Sequence, residues 1–220
     1  MYEELSPVAS LVWNQALLAP IVEINERMLE RLHAQAHACF ALPGLLQALL
    51  PEWCALDPAA QRRLAQCPYL LLDAGFAEPA RWQLSPAAGV QEAGASRGEP
   101  GAHGADPAWL ALRRRTLLLG WHLARSQPLA ARVLLGMSPA SAEYIAARRL
   151  TELEELAEGA GRMAPRWAQQ PQIWRQLLRA SHAAAEELRW TQLRGLQLLA
   201  ATPAALAVPA VPVMPAVARL

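Results

Sequence analysis

The sequence predicts an all-α fold, a multi-helix bundle, and three observations carry that reading. Ala and Leu dominate the 220 residues while Val and Ile together number only 13, too few β-branched residues for a sheet-rich protein. Hydrophobic residues make up 54% and charged residues 18%, enough apolar surface to fold one sizeable core or two small ones. Prolines stand directly after Ser or Asp at Ser6-Pro7, Asp106-Pro107 and Ser138-Pro139, the cap and first-turn pairing of a helix start.

In chain order, Leu5 to Phe40 reads as two helices with a break at Pro20. Leu11, Val12, Leu17 and Leu18 form the first apolar stripe, and Ile21, Ile24, Met28 and Leu32 the second, with Glu23, Glu26, Arg27, Glu30 and Arg31 opposite. Shorter helices are expected over 43–53, 58–66 and 67–74, punctuated by Pro51, Pro58 and Pro68, with Gly75 as a stop. Residues 85–107 hold five glycines and three prolines with almost no large apolar side chain, a flexible linker. It separates an N-terminal helical region, 1–84, from a C-terminal helical region, 108–200.

The second region opens at Asp106-Pro107 with a helix rich in Leu and Trp. Another helix starts at Pro128 and ends at Gly136, and the next is capped by Ser138 and runs to about Arg149. Thr151-Glu-Leu-Glu154 reads as a capping box, and Pro171 begins a long helix reaching about Ala200. Residues 201–220 form a Pro-rich tail. Leu196 to Ala218 carries no charge and is long enough for a bilayer, but four prolines interrupt it, so an extended, polyproline-like tail is expected instead of a membrane span.

Net charge is +1, yet residues 1–108 carry 6 Arg against 12 acidic residues and residues 109–220 carry 14 Arg against 7. This asymmetry fits a nucleic-acid face in the second half, and equally two halves or two copies that attract each other. All basic residues are Arg. The acidic start lacks the basic segment of a secretory signal, and Cys39, Cys54 and Cys67 suggest no disulfide framework, so a cytoplasmic location is expected.

Catalytic chemistry leaves little trace. His33 and His37 share a helix face near Glu30, but no HExxH accompanies them, and an ordinary pair is the simpler reading. Asp73 reads as a helix-end residue. No GxSxG, phosphate loop or dinucleotide fingerprint occurs, so neither an enzyme, a metal nor a cofactor is expected. Most of the eight tryptophans are expected in the core.

The strongest local pattern is 128–149. A helix ends at Gly136, Met137 turns inward, Ser138 caps a second helix, and Ile145 returns to the core. That spacing is the helix-turn-helix arrangement, with glycine at the left-handed turn position, and it also fits a plain helical hairpin. The second helix would show Ser141, Glu143, Tyr144, Arg148 and Arg149 to solvent or DNA.

The run Leu135-Gly136-Met137-Ser138 is followed by Ala142, Ile145, Ala146, Ala147, Leu150, Leu153 and Leu156-Ala157-Glu158. It continues through Arg166-Trp167 to Ile173-Trp174-Arg175-Gln176-Leu177-Leu178. Across residues 131–178 the chain resembles the FlhD family, a subunit of the flagellar master transcriptional activator. The resemblance implies a small, helical, dimeric protein that binds a second, FlhC-like activator subunit and helps recognise promoter DNA. Relatives on mobile elements activate transfer genes. On this reading the protein is a non-enzymatic bacterial transcriptional regulator. Ser141 and Tyr144 lie at the recognition face, and Arg148, Arg149, Arg162 and Arg166 supply phosphate contacts. The rival expectation is a helical adaptor of a bacterial secretion or motility apparatus that binds protein only.

Overall fold

The computed structural model describes residues 15–38, 42–83, 107–159 and 163–201. Helix α1 (Gln15–His37) buries Leu17, Ile21, Ile24, Met28 and Leu32 along one stripe. The expected break at Pro20 does not occur. Proline removes one helical donor and crowds the carbonyl four residues back, but Leu17 before it and Ile21 after it are both buried. Each such side chain contributes roughly 1.5–3 kcal/mol, enough to offset the local cost. The Ser6-Pro7 cap and the stripe at Leu11 and Val12 lie outside the described residues.

A short 3-10 turn (Gly44–Leu49) leads into α2 (Leu50–Cys54) and then α3 (Pro58–Ala65). Asp57 caps α3, its Oδ1 accepting the Ala59 and Ala60 N–H groups at 2.8 Å each. The helix expected over 67–74 is absent. The segment is largely non-helical and ends in a two-residue strand, β1 (Leu72–Asp73). The cause sits on α1. Asn25 is fully buried, and its Nδ2 donates to the carbonyls of Ala65 (3.2 Å), Cys67 (3.4 Å) and Tyr69 (3.0 Å). Its Oδ1 accepts the Leu71 N–H at 2.8 Å. One amide side chain thus takes up backbone groups that a helix would have satisfied internally. Asp73 ends this strand rather than a helix, and its Oδ1 accepts the Gly75 N–H at 2.8 Å. Helix α4 (Pro79–Gln83) follows. Residues 84–106, nearly all of the expected linker, lie outside the described residues, as does the tail from residue 202.

The second region contains α5 (Pro107–Ser126), α6 (Pro128–Leu135), α7 (Pro139–Ala146) and α8 (Leu150–Gly159). Helix α7 stops short of Arg149. The capping carboxylate of α8 is Glu152, which accepts the Arg149 N–H at 2.7 Å, so the cap lies two residues before the expected Thr151. Strand β2 (Ala164–Pro165) pairs antiparallel with β1, Leu72 opposite Pro165 and Asp73 opposite Ala164. The single helix expected from Pro171 to Ala200 is two, α9 (Pro171–His182) and α10 (Ala185–Ala200). Ala183 is extended, with φ −86° and ψ −172°, and α10 turns back onto α9. The break falls among alanines, whose helix propensity gives no sign of it.

The fold is therefore all-α apart from this small two-stranded sheet. One core joins the segments on either side of the 85–107 stretch. Leu32, Trp53 and Tyr69 belong to the same buried cluster as Leu134, Ile145 and Trp174. Helix α1 packs on α5, α3 on α9 and α4 on α7, and the Trp53 and Trp174 rings lie 5.3 Å apart. Ion pairs cross the same boundary. Glu23 meets Arg115, Glu52 meets Arg175 at 3.2 Å, and Asp57 meets His182 at 3.5 Å. The acidic first half and basic second half face each other at these points. Among the described residues, no helix is long and apolar enough to cross a membrane.

Candidate functional site

The α6–α7 hairpin forms at the position its sequence pattern marks. Gly136 adopts φ 67° and ψ 33°, the left-handed conformation that ends α6. Ser138 caps α7, its Oγ accepting the Ser141 N–H at 3.2 Å, and Met137 is buried between the helices. The exposure expected of α7 is only partly present. Ser141 is fully buried, its hydroxyl engaged with Ser138 Oγ at 2.9 Å, so it cannot reach DNA. Ala142 and Ile145 are buried beside it because α7 packs against α4, α5 and α6. Glu143 is exposed. Tyr144 is half-buried under the Arg148 guanidinium, whose carbon lies 4.0 Å from the ring centre. Arg148 also approaches Glu152 at 3.8 Å, and its carbonyl accepts the Trp121 indole N–H at 2.9 Å. Arg149 keeps a side chain 84% exposed. Arg162 lies outside the described residues.

Arg166 is the largest departure from the expected site. It is buried, and its guanidinium binds backbone rather than facing solvent. Nε donates to Leu70 O at 2.7 Å, and Nη2 donates to Leu135 O at 2.8 Å and Leu72 O at 3.3 Å. Its own N–H donates to Leu71 O at 2.7 Å, and its carbonyl accepts the Trp174 indole at 2.6 Å. Burial pulls its pKa below the ordinary arginine value, and Asp73 and Tyr69 act in the opposite direction. One side chain thus ties the extended 70–72 segment, the end of α6 and β2 into a single junction. Gly136 belongs to the same arrangement. A Cβ there would lie 2.7 Å from Arg166 Nη1, so glycine is required both by its backbone and by the arginine passing over it. The next residue, Trp167, has φ 56°, a conformation that costs a bulky residue about 1–3 kcal/mol. Its ring packs edge-on against Tyr69 at 5.8 Å.

The surface with the least internal use is α10. Only Leu188, Gly195 and Leu199 are buried on it, and Gly195 is seated against the Tyr69 hydroxyl where a Cβ would clash. Trp190 is 62% and Leu193 43% exposed, one helical turn apart. Between α9 and α10 runs a groove of about 580 Å³ lined by Gln176, Arg179, Trp190, Thr191 and Arg194 together with Glu186 and Glu187. A second cavity of about 340 Å³ shares Gln176, Thr191 and Arg194 with it and continues past Ile173, Leu177 and Leu198 to Ala201. The expectation that most tryptophans are core did not single out Trp190. The available sequence signal was the placing of Trp190 and Leu193 directly beside Arg189 and Arg194.

The remaining candidates are modest. His33 and His37 bring their Nε2 atoms to 2.9 Å, and burial followed by the neighbouring His37 lowers the His33 pKa. Among the described residues, no three His, Cys, Asp or Glu side chains come together to hold a metal. Cys54 is exposed, while burial pushes the Cys67 thiol up to about 12. Compared with known proteins, the chain matches no family, no curated protein and no solved structure.

Proposed function

We propose that the protein is a helical adaptor that binds another protein by presenting the outward face of α10 to an apolar groove on it. The observation that carries this is the exposure of Trp190 and Leu193 one turn apart on a helix with three buried residues. A large aromatic with an aliphatic neighbour is the anchor pattern of helix-in-groove recognition. The surface chemistry of α7 weighs in the same direction. A recognition helix reads bases from its N-terminal half, and here Ser141 and Ala142 are buried while Glu143 is the exposed charge.

The test is co-purification with products of neighbouring genes, comparing the wild-type chain with Trp190→Ser/Leu193→Ser. A complex that forms with wild type and is lost in the double variant supports the reading. A complex retained equally by both overturns it.

A second reading, a regulator that meets DNA as the FlhD resemblance implies, is favoured by the left-handed Gly136 turn and by exposed Arg149, just before the start of α8. Fluorescence anisotropy with duplex DNA at two salt concentrations separates the two, because neutralised phosphates impose a steep salt slope. On the DNA reading, Arg148→Ala/Arg149→Ala flattens that slope by roughly one unit per lost contact.

A further inference from the structure

His33 and His37 stand one turn apart near the end of α1, and their rings converge. The Nε2 atoms lie 2.9 Å apart, with the ring planes at 87°. Residues four apart on a helix are neighbours on its surface, and the helix beneath this pair is fixed in place. Leu29, Leu32 and Ala36 are buried, and α1 packs on α2, α3 and α5. In the neutral pair one Nε2–H donates to the other Nε2. Moving that proton to Nδ1 of the same ring leaves two Nε2 lone pairs with no proton lost, the form in which imidazole ligates a metal.

The spacing selects a geometry. Metal–nitrogen bonds of about 2.0 Å place two donors about 2.8 Å apart at a right angle and about 3.3 Å apart at the tetrahedral angle. The distance of 2.9 Å between the two Nε2 atoms falls beside the first. Right-angled nitrogen and oxygen coordination belongs to Cu(II) and Ni(II), whereas Zn(II) prefers the tetrahedron, and Cu(II) heads the affinity series of divalent first-row metals. The surroundings suit a cation. His37 is the last residue of α1, and the unpaired carbonyls of a helix C-terminus carry partial negative charge. Glu30, one turn before His33, meets Arg27 at 3.4 Å, and the Arg31 guanidinium lies over the Trp109 ring, 5.3 Å from its centre.

We propose that His33 and His37 chelate Cu(II) in two adjacent positions of a tetragonal site. Among the described residues no third His, Cys, Asp or Glu joins the pair, so water takes the remaining positions. The site shares no residue with the α10 face, and it stands or falls separately from the adaptor reading.

The test uses the tag-free full chain and Cu(II) alone, followed by calorimetry and electron paramagnetic resonance. The expected result is one Cu(II) per chain, with a spectrum split by two imidazole nitrogens and with Zn(II) bound several-fold more weakly. His37→Ala should weaken Cu(II) binding roughly tenfold or more, because the second imidazole binds intramolecularly. Ala34→His/His37→Ala keeps the number of histidines but sets the pair on adjacent positions, which do not face each other on a helix. It should bind as weakly as His37→Ala, at unchanged helicity, while His122→Ala should bind as wild type does. Equal Cu(II) affinity in wild type and Ala34→His/His37→Ala overturns the proposal. So does a spectrum with a single nitrogen, or Zn(II) binding as tight as that of Cu(II).

Discussion

Arg166 and Trp190 stand in places that their chemistry argues against. The arginine is buried and the tryptophan lies mostly in solvent. The contrast separates two kinds of surface. At the junction, polar backbone made inaccessible by the extended 70–72 segment and the end of α6 demands donors, and a guanidinium has five of them in a rigid fork. On α10, an indole stands mostly in solvent. Buried charge here is explained by structure, and the exposed indole is what the proposed adaptor reading rests on.

The contrast is broken most severely at the arginine. Arg166→Met leaves the carbonyls of Leu70, Leu72 and Leu135 without their guanidinium donor. An unsatisfied buried acceptor costs about 1–3 kcal/mol, so urea unfolding should show a loss of at least ~3 kcal/mol. A variant as stable as wild type would mean that the guanidinium does not hold the junction.

Gly136→Val should come next. A β-branched residue in the left-handed region costs about 1–3 kcal/mol, and its Cβ must displace Arg166 Nη1. The two changes share one contact, so a double variant with Arg166→Met should lose less than the sum of the singles. Strict additivity would separate the turn from the arginine.

Cys67 probes the same buried side more gently. At mildly alkaline pH, iodoacetamide should modify Cys54 in the native protein and Cys67 only after denaturation, because burial keeps the Cys67 thiol protonated. Its raised folded pKa gives a definite sign. The unfolded thiol releases its proton near its ordinary value of 9.0 while the folded one holds it to about 12. The associated stability is present below pH 9 and is lost as pH rises towards 12. Cys67→Ala should flatten that alkaline decline in a pH series of melting temperatures.

The smallest effect is expected at Trp190. Trp190→Ser should change unfolding free energy by no more than about 0.5 kcal/mol, as for surface positions without special contacts. A large loss would place the indole within the stabilising structure and remove the contrast.

The ends of α6 and α7 were legible in sequence, where a cap or turn signal agreed with an apolar stripe. Ser138-Pro139, Pro128 and Gly136 marked real ends because their signals act over a few residues. Elements set by distant partners were not legible. The extended segment 67–74 depends on Asn25, a polar residue inside the apolar stripe of α1, and nothing near Tyr69 or Leu71 reveals that bond. The split between α9 and α10 falls in alanines that favour helix on both sides. At the candidate site, the turn was readable and the exposure was not. Ser141 and Arg166 have the residue types of a DNA face, but neighbouring helices and carbonyls decide where they sit. The charge asymmetry, open to two readings in the sequence, corresponds in part to ion pairs across the core, each weak at such exposure.

The Arg166 junction also sets a timetable for synthesis. Its bond to Leu70 spans 96 positions. A ribosome adding roughly 5–20 residues per second needs on the order of 5–20 s to make the arginine after the leucine has been joined. For that interval Leu70-Leu71-Leu72 has neither its guanidinium nor its strand mate, and it is an apolar segment with open backbone groups. The nascent chain is thus most prone to aggregate before Arg166 emerges, and a chaperone that holds Leu70–Leu72 would act in that window.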